Sequence, residues 1–141
     1  MADLFLEIVT PSKSSFSGNV ISITIPGTIG SFQVLKNHAP IISTFEIGVI
    51  KVELLNKAPE YFATSGGTVE VLNNKIRVLA DTVEPLADID LNRAKLSLDR
   101  AKHRLENRNV EDINIARAEA ALARATNRIK LVEKYQNDSS L

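Results

Sequence analysis

The chain has no cysteine and only two histidines. Without thiols there is no disulfide framework and no thiolate metal site, which fits a reducing compartment. The histidines, His38 and His103, stand apart and do not make a metal site between them. Long apolar runs are also missing. Nothing approaches the roughly 18 residues that a membrane span needs. The start, MADLFLEIVT, lacks the basic region and apolar core of a secretory signal. Contact with a membrane is therefore expected only through partners. Charge of one sign is not in excess either: 17 Lys+Arg stand against 17 Asp+Glu. The basic footprint of a general nucleic-acid binder is absent, and no nucleic-acid partner is expected.

What is present falls into two parts. The 141 residues are 44% hydrophobic and 24% charged, enough for one domain or two small units. Up to about Ala87 the sequence is rich in Ile, Val, Thr and Phe and is broken at short intervals by turn residues. LFLEIVT ends at Pro11. NVISITIP alternates Val20, Ser22 and Thr24 with Ile21, Ile23 and Ile25, then stops at PGTIG. SFQVL stops at KNHAP, and GVIKVEL alternates Val49, Lys51 and Glu53 with Ile50, Val52 and Leu54. YFATSGG is read as ending in a turn, and TVEVLNNKIRVLAD as a hairpin around Asn73-Asn74, residues that tolerate positive φ. Many short strands with no helical pattern between them predict an antiparallel β-sandwich or barrel. About 85 residues can bury a modest core of their own.

From Asp88 the period changes. Leu91, Ala94, Leu98, Ala101 and Leu105 recur at alternating three and four, as do Ile115, Ala118, Leu122, Ala125, Ile129 and Val132. The polar segment ENRNVED separates them, so the prediction is an antiparallel two-helix hairpin over 88–141. Alanine at alternate layers permits close approach but buries little area, which makes the hairpin marginal and able to open. The tail QNDSSL is expected to be disordered. Charge divides as well: residues 1–87 hold 6 basic and 8 acidic side chains, residues 88–135 hold 11 and 8.

The hairpin's arginines are unevenly placed. At about 100° per residue, Asp90, Arg93, Ser97, Arg100 and Arg104 fall within an arc about 80° wide. Its centre lies roughly 110° from the apolar seam. Arg117, Arg124 and Arg128 form a similar arc in the same rotational sense, so an antiparallel pairing brings both arcs to one flank. A solvated basic face is the ordinary reading of such a pattern. Here compensation is missing: Arg100 has Leu96, Ser97, His103 and Arg104 at i±3 and i±4, and Arg124 has Ala120, Ala121, Asn127 and Arg128. Arg100–Arg104 and Arg124–Arg128 are like-charge pairs, each costing roughly 0.2–0.5 kcal/mol. Planar guanidinium forks at such spacing suit a phosphate or carboxylate. Asp90 either pairs with an arginine, accepts from a ligand's donor, or is simply a carboxylate at a helix start.

Other patterns carry no chemistry. PGTIGS lacks the Gly-Lys-Ser/Thr ending and following helix of a phosphate loop and is read as a turn. SGG, Ser65 to Gly67, lacks the strand-turn-helix context of a nucleophile elbow.

GTIGSFQVLKNHAPIIS (Gly27 to Ser43), SGGTVEV (Ser65 to Val71) and RVLAD (Arg77 to Asp81), followed by the two-helix pattern, make the chain resemble the epsilon subunit of the bacterial F-type rotary ATP synthase. The resemblance covers nearly the whole chain. It implies a mixed fold, a β-sandwich of about ten strands over 1–87 followed by a helical hairpin over 88–141. It implies a non-catalytic subunit of the central stalk, in contact with the gamma subunit and the rotor ring of c subunits, on the cytoplasmic face of the inner membrane. No catalytic cofactor is implied. Some bacterial members bind ATP at the hairpin through an I(L)DxxRA motif, which IDLNRA, Ile89 to Ala94, fits at every defined position. The family's upstream glutamate and further arginines fall on Glu84, Arg100, Arg124 and Arg128. ATP-binding by Glu84, Ile89, Asp90, Arg93, Arg100, Arg124 and Arg128 is thus implied, with ATP a regulatory ligand that keeps the hairpin compact. The extended hairpin would reach the alpha/beta catalytic head and inhibit hydrolysis. The alternatives are a stalk or assembly subunit whose arginines never meet nucleotide, and a free-standing nucleotide-sensing module.

Overall fold

The computed structural model describes residues 3–107 and 114–139. The chain divides into two compact units, Met1–Pro85 and Leu86–Leu141. The first is all β. Its strands are β1 (Phe5–Val9), β2 (Ser14–Asn19), β3 (Ser22–Ile25), β4 (Phe32–Leu35), β5 (Ile41–Glu53), β6 (Glu60–Leu72), β7 (Lys75–Ala80) and β8 (Val83–Pro85). They pair in the order β2-β1-β7-β6-β5-β3-β4, with β8 also on β6.

Alternation puts one set of side chains inward, because successive residues of a strand point to opposite faces. Leu6 and Ile8 of β1, Ile76 and Val78 of β7, Val69 and Val71 of β6, Ile50 and Val52 of β5, and Ile23, Ile25 and Val34 form one buried core. Each contributes roughly 1.5–3 kcal/mol relative to exposure. Phe16 of β2 meets Phe62 of β6 edge to face, with ring centroids 6.3 Å apart. Those strands are three places apart in the sheet order, so this contact closes across the fold and makes the layers of a sandwich.

Four features differ from the sequence expectation. First, eight strands are described rather than about ten, because β5 and β6 are single strands of 13 residues each. Second, Ser65 to Gly67 is not a turn. β6 runs straight through it and changes neighbour there, pairing with β8 along Phe62–Thr64 and with β7 along Gly67–Leu72. Gly66 takes φ 116° at the handover, a conformation side chains disfavour. Third, not every pairing is antiparallel: β1 lies parallel to β7, Phe5 opposite Lys75 through Val9 opposite Leu79. Fourth, SSFSGN forms the edge strand β2, and the chain turns through Val20 and Ile21 before β3. The Asn73-Asn74 turn is as expected, with φ of 51° and 61° closing β6 onto β7.

A 3-10 turn, Leu86–Asp88, opens the second unit, followed by α1 (Leu91–Glu106) and α2 (Ile115–Ser139). The helices pack on each other. Helices joined by so few residues and sharing a seam run antiparallel. The alanines and Val132 are its deepest members: Ala94, Ala101, Ala118, Ala125 and Val132 are 0–3% exposed, whereas Leu91, Leu98, Leu105, Leu122 and Ile129 are half-buried. Ile115, at the helix start, is exposed. Leu131, which the heptad pattern omits, is buried beside Val132, so the buried arc of α2 widens towards its end. The helix continues to Ser139, past the point where a disordered tail was expected. Most of the separating segment ENRNVED lies outside the described residues.

A chain ending at Ala87 is expected to stay soluble with an unchanged β-type circular dichroism spectrum, since the buried strand residues form a core of their own. Aggregation or loss of that spectrum would mean that the two units depend on one another to fold.

Candidate functional site

The arginine flank begins where α1 begins. Asp90 is extended, at φ −88° and ψ 109°, and is the N-cap of α1. Its carbonyl accepts from the Ala94 amide at 3.0 Å, and its Oδ1 accepts from the Arg93 amide at 3.2 Å. A short carboxylate suits this position because the first amides of a helix lack internal partners. Of the three roles open to Asp90, the helix start is the one it fills here. Asn114 does the same for α2, its Oδ1 accepting from the Arg117 amide at 3.1 Å. Asn107 ends α1, its amide and its Nδ2 both donating to the His103 carbonyl, at 3.1 and 3.0 Å.

The flank follows from the seam. Arg93, Arg100, Arg117 and Arg124 each stand immediately before a buried alanine, Ala94, Ala101, Ala118 and Ala125 respectively. One residue is about 100° of helix rotation, so each arginine leaves the seam on the same rotational side. In an antiparallel pair, the same rotational side on both helices is one flank of the hairpin. Arg93 and Arg100 are exposed, and Arg124 and Arg128 are half-buried. Arg100 donates from Nη2 to Ser97 Oγ at 3.2 Å, which holds its guanidinium back along its own helix. Among the described residues, no carboxylate lies within ion-pair distance of Arg93, Arg100 or Arg124. The ion pairs Lys51–Glu53 and Arg77–Glu7 belong to the sandwich.

Two other expected residues sit differently. Ile89 is 6% exposed, and its amide donates to the Leu86 carbonyl at 3.2 Å, so its side chain is not part of an open surface. Glu84 lies on β8, in the sandwich unit, opposite Ala63 of β6. Arg117 belongs to the flank by position although the motif does not include it. Its place in one arc with Arg124 and Arg128 was the signal for it. Among the described residues no group of three His, Asp or Glu side chains could hold a metal, and no helix is long and apolar enough to cross a membrane.

Fold and flank together define a two-unit protein, a β-sandwich bearing a helical hairpin with one arginine-lined side. The beta-sandwich domain model of the ATP synthase delta/epsilon chain matches residues 3–86, and the long alpha-helix domain model of the same chain matches residues 87–133. The chain belongs to the ATP synthase delta/epsilon chain family, a family of non-catalytic stalk subunits. It is 42% identical over 129 residues to the ATP synthase epsilon chain of Syntrophomonas wolfei, covering 92% of this chain and 93% of that one. With the ATP synthase epsilon chain of Desulfitobacterium hafniense it shares 45% identity over 130 residues, 92% of this chain and 96% of the relative. A similar fold occurs in the cryo-EM structure of the Euglena gracilis mitochondrial ATP synthase. The TM-score is 0.76 at 20% identity, covering 90% of this chain and 79% of that chain.

Proposed function

We propose that this chain joins the membrane rotor of an F-type ATP synthase to its catalytic head, and that its hairpin reports the supply of ATP. The sandwich is the anchor, against the gamma subunit and the ring of c subunits, and the protein sits peripherally on the cytoplasmic face of the bacterial membrane. The hairpin is the regulator. Folded, it holds ATP. Extended towards the alpha/beta head, it inhibits hydrolysis. ATP favours the folded form by its greater affinity for that form, since a ligand shifts an equilibrium only by its differential affinity.

The observation that carries this reading is the repeated Arg-Ala pairing, which lines one flank with guanidinium groups and leaves Arg93, Arg100 and Arg124 without carboxylates among the described residues. The motif IDLNRA begins on that flank. Arg93, Arg100, Arg124 and Arg128 are the phosphate and orienting contacts, and Asp90 aligns an arginine. The family resemblance adds Ile89 and, at the adenine end, Glu84.

The experiment is a titration of the isolated full chain with ATP, alongside binding of the chain ending at Ala87 to a gamma–rotor preparation. The chain should bind ATP with measurable heat, and the truncated chain should bind the preparation more tightly than a peptide of the hairpin does. No ATP binding at millimolar concentration would leave a stalk subunit without a nucleotide sensor. The reverse ranking in the second measurement would move the anchor to the helices.

A further inference from the structure

The aspartate and the first arginine of IDLNRA are joined through the backbone. Asp90 Oδ1 accepts from the amide of Arg93 itself, at 3.2 Å, while the Asp90 carbonyl closes the first helical turn on Ala94. Counting from the cap, Leu91, Asn92 and Arg93 are the first three helical residues. The interval from Asp90 to Arg93 is therefore that of a capping box, whose last position normally carries Glu or Gln. An acidic side chain is favoured there because it faces the positive end of the helix dipole, and a cation is disfavoured. Arg93 stands in that position with no carboxylate in ion-pair range among the described residues. One hydrogen bond thus fixes the backbone of a residue whose charge the helix start disfavours, and fixes where its guanidinium starts.

We infer that Asp90 is a positioning residue, which serves the nucleotide site by capping α1 at Arg93 and so setting that arginine's direction, and not by touching the ligand. This rests on the nucleotide reading above. The three-residue interval in the motif is then a property of helix starts: the carboxylate must sit three residues before the arginine whose amide it holds.

Capping ability and charge can be separated. Serine caps about as well as aspartate and is neutral, whereas alanine caps poorly. Glutamate keeps the charge on a side chain too long for the cap. ATP binding is measured by calorimetry on the full chain for Asp90→Ser, Asp90→Glu and Asp90→Ala, well below the melting temperature, with helix melting followed separately. Asp90→Ser should stay within about threefold of wild type, and Asp90→Ala and Asp90→Glu should each lose about fivefold, the usual worth of a cap. Asp90→Ala made on top of Arg93→Ala should change affinity by less than about twofold, because the residue it acts through is gone. A merely structural cap would lower affinity equally in both backgrounds. Retention by glutamate with loss by serine would show direct contact and overturn the inference, as would a full effect of Asp90→Ala without Arg93. A wild-type chain that binds no ATP overturns the nucleotide reading and this inference with it, while the serine–glutamate inversion overturns this inference alone.

Discussion

Removing the guanidinium of Arg93 or of Arg124 is expected to weaken ATP binding by the full chain at least tenfold. A hydrogen bond to a charged group contributes about 1.5–3 kcal/mol, and 1.4 kcal/mol is a factor of ten. The two sites should not be equal. Arg124 is half-buried and Arg93 is exposed, so a phosphate at Arg124 meets less screening and the loss there should be larger. Lysine should rescue neither fully, because it keeps the charge but lacks the planar fork. The same variants bear on the hairpin's opening. ATP at a hundred times its Kd opposes opening by about 2.7 kcal/mol when only the folded form binds it. Helix melting should therefore rise with ATP in the wild type and hardly move in Arg93→Ala or Arg124→Ala. Binding that survives both substitutions would place the nucleotide elsewhere and return the flank to an ordinary solvated face. The stalk-subunit assignment would stand either way, because the family match covers the sandwich independently of these arginines.

The second large effect is expected in the sandwich. Gly67 faces β7 where β6 passes from one neighbour to the next, and a Cβ there would collide with the Leu79 carbonyl oxygen and lie 2.9 Å from the Ala80 Cα. Both obstacles are backbone, so relief requires two central strands to separate. Gly67→Ala should cost about 3 kcal/mol or more, at the upper end of overpacking effects, and lower the melting temperature of the β unit by about 15 °C. Gly18→Ala is the control. Its nearest neighbour would be the Phe16 ring at 4.0 Å, and its φ is ordinary, so its effect should be within about 0.5–1 kcal/mol of zero. Equal melting of the two variants would mean that the β6–β7 contact is looser than its register implies.

Gly66 and Gly67 also show what a sequence conceals. Ser65-Gly66-Gly67 looks like a turn because turns are where glycine is commonest, yet the same residues serve a strand whose neighbours press closely on it. Which of the two holds depends on β7 and β8, which lie further along the chain. β2 was hidden for a related reason. SSFSGN has one large apolar residue, Phe16, and its strand character comes from pairing with β1 and from the Phe62 ring. The parallel pairing of β1 with β7 left no local trace at all. In contrast, the hairpin seam was legible almost to the residue, because a helix writes its own period into the chain. The arginine flank was legible with it. The burial of Ile89 was not, nor was the widening at Leu131, since both residues stand outside the repeat. Asp90 lay between: its place at a helix start could be read, but its bond to the Arg93 amide could not.

The β1–β7 ladder also fixes the order in which the chain can assemble. Phe5 pairs with Lys75, about 70 residues later, and the Phe5 amide donates to the Asn74 carbonyl at 2.9 Å. During synthesis β1 can meet β2 at once, but its other edge has no partner until nearly the whole sandwich has left the ribosome. Contacts of such long sequence separation place folding towards the millisecond-to-second range, whereas the local contacts of α1 and α2 belong to the microsecond-to-millisecond range. The helices are nevertheless made after the sandwich. The newborn chain thus spends its longest unfolded interval with Leu6 and Ile8 on an open strand edge, the kind of surface that chaperones hold and that aggregation exploits.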